Sequence, residues 1–332
     1  MTSSLLARMN VKDVKNMTIW FLPPVRIIAL ACLIAGLEQA RAGWQLMWSD
    51  DFSGDTINTN NWIFDSGNGN GGWGNRELEY YTSRPENVYV TNGMLHVIAR
   101  KEDYQGKDYT SAKLKTRGLF SQKYGRFEFY ARLPQGKGYW PALWMMPEHA
   151  VYGRWAASGE IDVMENKGDD PEKIFGTIHF GGESPHNAQS HNPGFKFASG
   201  DSVANFHLYA VEWTTNVISW YVDNHLYETQ TNWWSSSNPG NHNPYPAPFN
   251  QPFYIIMNLA IGGNFSGNPD DKTIFPGEMQ IKYVRVYGQT DKAPATVNAV
   301  SKSNANESAR NTTVLALQPA NSSARSQNLQ FP

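Results

Sequence analysis

Seven consecutive residues, Gly159-Glu160-Ile161-Asp162-Val163-Met164-Glu165, place three carboxylates among three apolar side chains. On a β-strand successive side chains point to opposite faces, so Glu160 and Asp162 share one face while Ile161 and Val163 share the other. Glu165 is out of phase by one residue. A bulge at Val163-Met164 absorbs that residue and returns Glu165 to the face of Glu160 and Asp162. Three carboxylates held so close resist joint ionisation, which drives at least one pKa upward. Cleavage of a glycosidic bond uses such a set, with one carboxyl protonated as general acid and another ionised across the scissile bond. With the bulge, Glu160 and Glu165 stand about four strand steps apart, roughly 13 Å between Cα atoms at ~3.3 Å per step. Two Glu side chains leaning together bring their carboxyls toward the ~5 to 5.5 Å of a mechanism that retains configuration.

The heptad resembles the active-site signature of glycoside hydrolase family 16, in its form E-x-D-x-x-E. Further stretches, in order, are similar to those of laminarinase-like endo-1,3-β-glucanases. They are Trp48-Ser-Asp-Asp-Phe52, Asn75-Arg-Glu-Leu-Glu-Tyr-Tyr-Thr82, Gly138-Tyr-Trp-Pro-Ala-Leu-Trp-Met-Met-Pro147, Thr177-Ile-His-Phe-Gly181, Asn258-Leu-Ala-Ile-Gly-Gly-Asn264 and Tyr283-Val-Arg-Val-Tyr287. The resemblance covers about residues 44 to 288. It implies a secreted, retaining, endo-acting hydrolase that cleaves β-1,3-glucan by double displacement, with Glu160 as nucleophile and Glu165 as acid and then base. Asp162, between them, would hold Glu160 by a shared proton. Spacing alone is symmetric, so the division of roles between the two Glu comes from the resemblance. Mixed-linkage glucan or galactan hydrolysis within the family, and non-catalytic glucan binding, are the alternatives. Binding relatives lack one or both catalytic Glu, whereas all three carboxylates stand here.

The elements that must carry these residues read as all-β. From Gly43 to Gly288 short alternating or apolar runs are separated by Gly, Asn, Pro and Asp clusters. Strands are predicted at 87–90, 94–100, 125–132, 206–213, 218–222, 253–259 and 279–287, with a tight hairpin turn at Val222-Asp-Asn-His225. No window keeps a helical period. An antiparallel β-sandwich fits the length, and the resemblance implies the jelly-roll type with a concave substrate cleft.

Around the carboxylates, Trp140 and Trp144 are four apart and so share a strand face, and Trp155 lies just before Ser158-Gly159. Trp144 is expected beneath the scissile bond, with Trp140 either beside it or in the core. Relatives often have Pro after the Trp155 position; Ala156 stands here, which bears on loop rigidity rather than chemistry. Asn75 and Arg76 end a Gly/Asn-rich loop and offer planar donors for paired hydroxyls; by resemblance they line the glycone side. Glu77 and Glu79 have no clear role from the sequence, ion pairing on a strand being one that they could fill. A lone strand histidine is more often structural, but His179 alternates with Thr177 and matches the family as a contact to the nucleophile or a sugar hydroxyl. His186 and His191 have no metal-ligand spacing, so zinc is not expected. The family's calcium on the convex side takes a carboxylate from the last strand, where this chain has Lys282, and a cation repels calcium. No cofactor or metal is expected.

The chain has 332 residues, 40% hydrophobic and 17% charged, enough for a full core, and its net charge of −2 argues against nucleic acid or an anionic membrane as partner. Its 12 Trp, 16 Tyr and 16 Phe exceed what a core needs, and flat aromatic faces suit sugar rings. Residues 1–42 read as an export signal: Lys12, Lys15 and Arg26, then an apolar run from Ile27 to Leu37, then Ala40-Arg41-Ala42. Met17 is an alternative start. The run is too short for a stable span. The only cysteine, Cys32, falls inside it and has a poor lipidation context, so the mature chain has no thiol. Residues 289–332 turn rich in Ser, Asn and Thr and read as a disordered tail, in which Asn306, Asn311 and Asn321 match glycosylation acceptors by chance. The expectation is a catalytic domain over 43–288, extracellular or periplasmic, monomeric, off the membrane once the signal is cleaved, with a β-glucan as its partner.

Overall fold

The computed structural model describes residues 43–189, 194–238 and 240–290. The leader expected over 1–42, the tail beyond residue 290 with its three Asn acceptors, and His191 lie outside the described residues.

Two large sheets form an antiparallel β-sandwich of jelly-roll type. The front sheet runs, from one edge, through Asn187–Gln189, Lys173–Gly181, Glu160–Glu165, Tyr139–Pro147, Phe253–Ile261, Lys113–Lys115 and Ile63–Phe64, with every ladder antiparallel. In the back sheet the last strand, Gly277–Gln289, sits between Gly125–Arg132 and Met94–Tyr104, and His207–Trp213 and Ile218–Val222 extend it beyond Gly125–Arg132. Neighbours in space are thus distant in sequence, as long crossover connections between two sheets require. The predicted strands recur with ends moved by a few residues, and the turn after Val222 has Asp223 at φ 49° and Asn224 at φ 67°, the paired positive angles of a tight hairpin. Helical structure among the described residues amounts to single turns at Gly72–Arg76 and Gly263–Ser266.

The core lies between the sheets because alternation on each strand sends one set of apolar side chains inward. Ile161, Val163, Leu143, Met145, Ile255 and Met257 of the front sheet meet Phe127, Phe129, Val211, Trp213, Trp220 and Val284 of the back. Phe253 meets Trp213 edge to face, with ring centroids 5.2 Å apart. One glycine permits the closest approach behind the carboxylate strand. A Cβ on Gly176 would stand 2.4 Å from Trp220 Cδ1, so the bare backbone there lets the indole lie against the front sheet.

Candidate active site

The Glu160–Glu165 strand is flanked by Lys173–Gly181 and Tyr139–Pro147. Glu160 stands opposite His179; Asp162 stands opposite Thr177 on one side and Trp144 on the other; Glu165 stands opposite Phe175 and Ala142. From Asp162 to Glu165 the central strand advances three residues while each neighbour advances two. The extra residue is the bulge at Val163-Met164. Both of these side chains turn inward, 1% and 0% exposed, and Glu165 emerges on the face of the other two acids. The disturbed ladder leaves the Asp162 carbonyl to find a partner elsewhere, and Trp220 Nε1 donates to it at 2.8 Å from the back sheet. The bulge is therefore held from behind by an indole that Gly176 makes room for.

Two further indoles hold the outer acids. Trp155 Nε1 donates to Glu160 Oε2 at 2.8 Å, and Trp140 Nε1 donates to Glu165 Oε1 at 2.9 Å. His179 Nε2 lies 3.3 Å from Asp162 Oδ2 and 3.6 Å from Glu160 Oε1. The approach to Asp162 is too oblique for a well-formed hydrogen bond, so its strength is mainly that of opposite charges. Burial alone would lower His179, but Asp162, Glu160 and Glu165 around it outweigh that and raise it to about 9, so it is a cation at neutral pH. Burial, with Glu160 and Glu165 beside it, raises Asp162 well above the ordinary carboxylate range. Glu165 rises to about 7, chiefly by burial, with the Trp140 bond and the His179 charge pulling the other way. A carboxyl poised near neutrality can give a proton and take one back, as a general acid that later acts as base must.

Trp144 shares the face of Trp140, as four-residue spacing on a strand requires, and its Nε1 donates to Asn258 Oδ1 at 2.7 Å. The chain continues inward: Asn258 Nδ2 donates to the Tyr81 hydroxyl at 3.0 Å, and that hydroxyl donates to Glu77 Oε2 at 3.2 Å. Asn75 and Arg76 are exposed on the Gly72–Arg76 turn. That turn packs on the Gly263–Ser266 turn beside Trp140, and Asn75 Nδ2 reaches Glu77 Oε1 at 3.2 Å. Glu77 and Glu79 are buried and, among the described residues, make no ion pair within 4 Å: Glu79 Oε2 accepts from the Ile261 amide at 2.7 Å, and burial with Glu77 nearby raises its pKa well above the usual range. The sequence reading also missed Lys113. Its ammonium lies 4.5 Å from the Trp73 ring and 5.0 Å from the Trp144 ring, 3.8 Å from Asp65 Oδ2, and burial lowers its pKa. In sequence, Ser111-Ala-Lys-Leu-Lys115 looks like a solvated edge; the flanking rings come from the distant Gly72–Arg76 turn and Tyr139–Pro147 strand.

Among the described residues, the one trio with donor atoms spaced for a metal ion is Glu160, Asp162 and His179, all within 4.8 Å of one another. With His179 raised to about 9 by the acids around it, the same trio forms an ion-pair cluster at neutral pH. On the back sheet the Lys282 ammonium lies 4.1 Å from the Phe206 ring and 5.1 Å from that of Tyr130. His186 is exposed, outside the carboxylate cluster.

Comparison with known proteins adds to this geometry. A family model described as glycosyl hydrolases family 16 matches residues 75–285. The chain is 46% identical over 268 residues to glucan endo-1,3-β-glucosidase A1 of Niallia circulans, covering 75% of this chain but 39% of that longer protein. It is 40% identical over 273 residues to a β-glucanase of Rhodothermus marinus, covering 78% of this chain and 91% of the relative. The X-ray structure of the laminarinase from Rhodothermus marinus superimposes with a TM-score of 0.67 at 40% identity, over 76% of this chain and all of that one.

Proposed function

The chain belongs to glycosyl hydrolase family 16 and is a glycoside hydrolase, and on that premise we propose that it cuts internal β-1,3 linkages of a laminarin-like glucan with retention of configuration. The observation that carries this reading is the bulge-assembled row of Glu160, Asp162 and Glu165 with an indole N–H on each outer acid. Glu165, poised at about 7, protonates the departing glycosidic oxygen. Glu160 attacks the anomeric carbon, forming a glycosyl ester and breaking the bond to that oxygen. Water then enters from the leaving-group side, Glu165 takes its proton, and the oxygen displaces Glu160.

Asp162 and His179 keep the row workable. Burial with Glu160 and Glu165 alongside raises Asp162 and so disfavours a third negative charge on the strand; His179 faces both Asp162 and Glu160 with a positive one. Trp144, opposite Asp162, lies beneath the sugar, and Asn75 and Arg76 receive units on the glycone side. The preference for β-1,3-glucan rests on the named activities of the relatives. A non-catalytic glucan binder has no use for three acids set at such electrostatic cost. We further propose export as a monomer with residues 1–42 removed; the basic start, the apolar run from Ile27 to Leu37 and Ala40-Arg41-Ala42 support the export signal.

The test is reducing-sugar release from laminarin, lichenan, agarose and xyloglucan. Laminarin should be cut fastest, to oligosaccharides of several lengths. Glu160→Gln should abolish release, and Glu165→Ala should regain cleavage of an activated aryl glycoside in azide. No release from laminarin, or an active Glu160→Gln protein, would contradict the proposal.

A further inference from the structure

Past the carboxylate row, beyond the end of the His179 strand, lies a concavity. The strand that carries His179 ends at Gly181, whose amide donates to the Trp234 carbonyl at 3.0 Å and which pairs with Ser235 in an isolated parallel bridge. Here the segment 182–186 and the short Ser236–Asn238 and Asn241–His242 hairpin line an open cavity of about 570 Å³. It is continuous with the site at its rim: the Ser184 amide donates to the Trp155 carbonyl at 3.1 Å, and the Trp155 ring lies 5.5 Å from that of His179.

The lining suits a carbohydrate. Trp234 and His242 are stacked, ring centroids 4.7 Å apart and planes 21° off parallel, which makes a thick aromatic wall. The Trp234 indole packs against Gly181, where a Cβ would stand 3.1 Å from the ring, so the wall is pinned to the end of the His179 strand. Glu183 is fixed by Arg154, with bonds of 2.9 and 3.0 Å to its carboxylate. Among the described residues the side chains of His186 and Asn238 make no hydrogen bond and are available to hydroxyls. A flat apolar wall with a few directional polar groups is the composition of a small-ligand site, and the volume is in the range of such sites.

Its position fixes which part of a substrate it meets. Trp234 lies about one strand spacing and two residues beyond Glu160, on the order of 10 Å by strand geometry. It is on the opposite side of the row from Asn75 and Arg76, which we place on the glycone side. We propose that this cavity is a remote subsite that stacks a glucosyl unit two or three residues beyond the scissile bond on the leaving-group side. The inference rests on the β-1,3-glucanase reading above.

The test compares two substrates in the full chain: an aryl laminaribioside, whose leaving group ends at the first position past the cut, and laminarihexaose. In Trp234→Ala, and separately in His242→Ala at the exposed partner, the ratio of kcat/KM for hexaose over aryl laminaribioside should fall about tenfold, the scale of one lost aromatic face. The cut in hexaose should also move so that longer products come from the glycone end. An unchanged ratio and cutting pattern in both variants would overturn the subsite, as would an equal loss on both substrates. Wild-type protein inactive on both substrates would overturn the glucanase reading and the subsite with it, whereas an active wild type with unaltered variants refutes the subsite alone.

Discussion

Replacing Trp140 with Phe tests the assignment of Glu165 as the proton donor. The substitution keeps an aromatic ring against Phe265, whose centroid lies 5.1 Å away, and removes the N–H that reaches Glu165 Oε1 at 2.9 Å. A hydrogen bond to a charged group contributes about 1.5 to 3 kcal/mol, and 1.36 kcal/mol corresponds to one pKa unit. The neutral carboxyl keeps part of the same bond, so the net loss for the ionised form is nearer ~1.4 kcal/mol, or about one unit. The sign follows from the charge: the indole favours the carboxylate, so its removal makes Glu165 hold its proton more tightly. An enzyme that needs Glu165 protonated in the free state loses kcat/KM as pH rises through about 7, the value to which burial lifts this group. The alkaline limb of the kcat/KM profile on an aryl laminaribioside should therefore sit near 7 in the wild type and move up by about one unit in Trp140→Phe. A limb that stays in place, or moves to lower pH, would refute the assignment of that limb to Glu165.

Other consequences are independent of that profile. His179, raised to about 9 from 6.5, contributes stability that is fully present below pH 6.5 and is lost as pH rises through 9. The gap in urea stability between wild type and His179→Gln should accordingly shrink by on the order of 2 to 3 kcal/mol from pH 6 to pH 9.5, and a gap that does not vary with pH would count against a charged His179. Trp220→Phe orphans the Asp162 carbonyl behind the bulge, at a cost of about 1 to 3 kcal/mol, so the melting temperature should drop by several degrees and kcat should fall with it. An unchanged melt and rate would mean that the bulge needs no support from behind. Gly176→Ala drives a methyl into the same indole and should reproduce both losses.

The chemistry was legible in the sequence wherever it depended on neighbours along one strand. Glu160, Asp162 and the out-of-phase Glu165 announce a bulge because only an extra residue reconciles their spacing with alternation, and the register of both flanking strands has it at Val163-Met164. The four-residue spacing of Trp140 and Trp144 fixed their common face for the same reason. What stayed hidden depends on strands brought together by crossovers. Nothing near Lys113 in the chain signals the Trp73 and Trp144 rings around it, and nothing near Glu79 signals the Ile261 amide that it caps. Trp220, Gly176 and the Asp162 carbonyl likewise meet only once the two sheets pack. The stacking of Trp234 on His242 forms across a hairpin whose Ser, Asn, Pro and Gly residues read as ordinary loop.

The central claim is that a bulged strand sets Glu160 and Glu165 on one face to run a double displacement on β-1,3-glucan. The anomer first released from laminarihexaose, followed by proton NMR before mutarotation, tests it most directly. The account predicts the β-anomer first, with the α-anomer growing in only at the rate of spontaneous equilibration. Initial release of the α-anomer would contradict it.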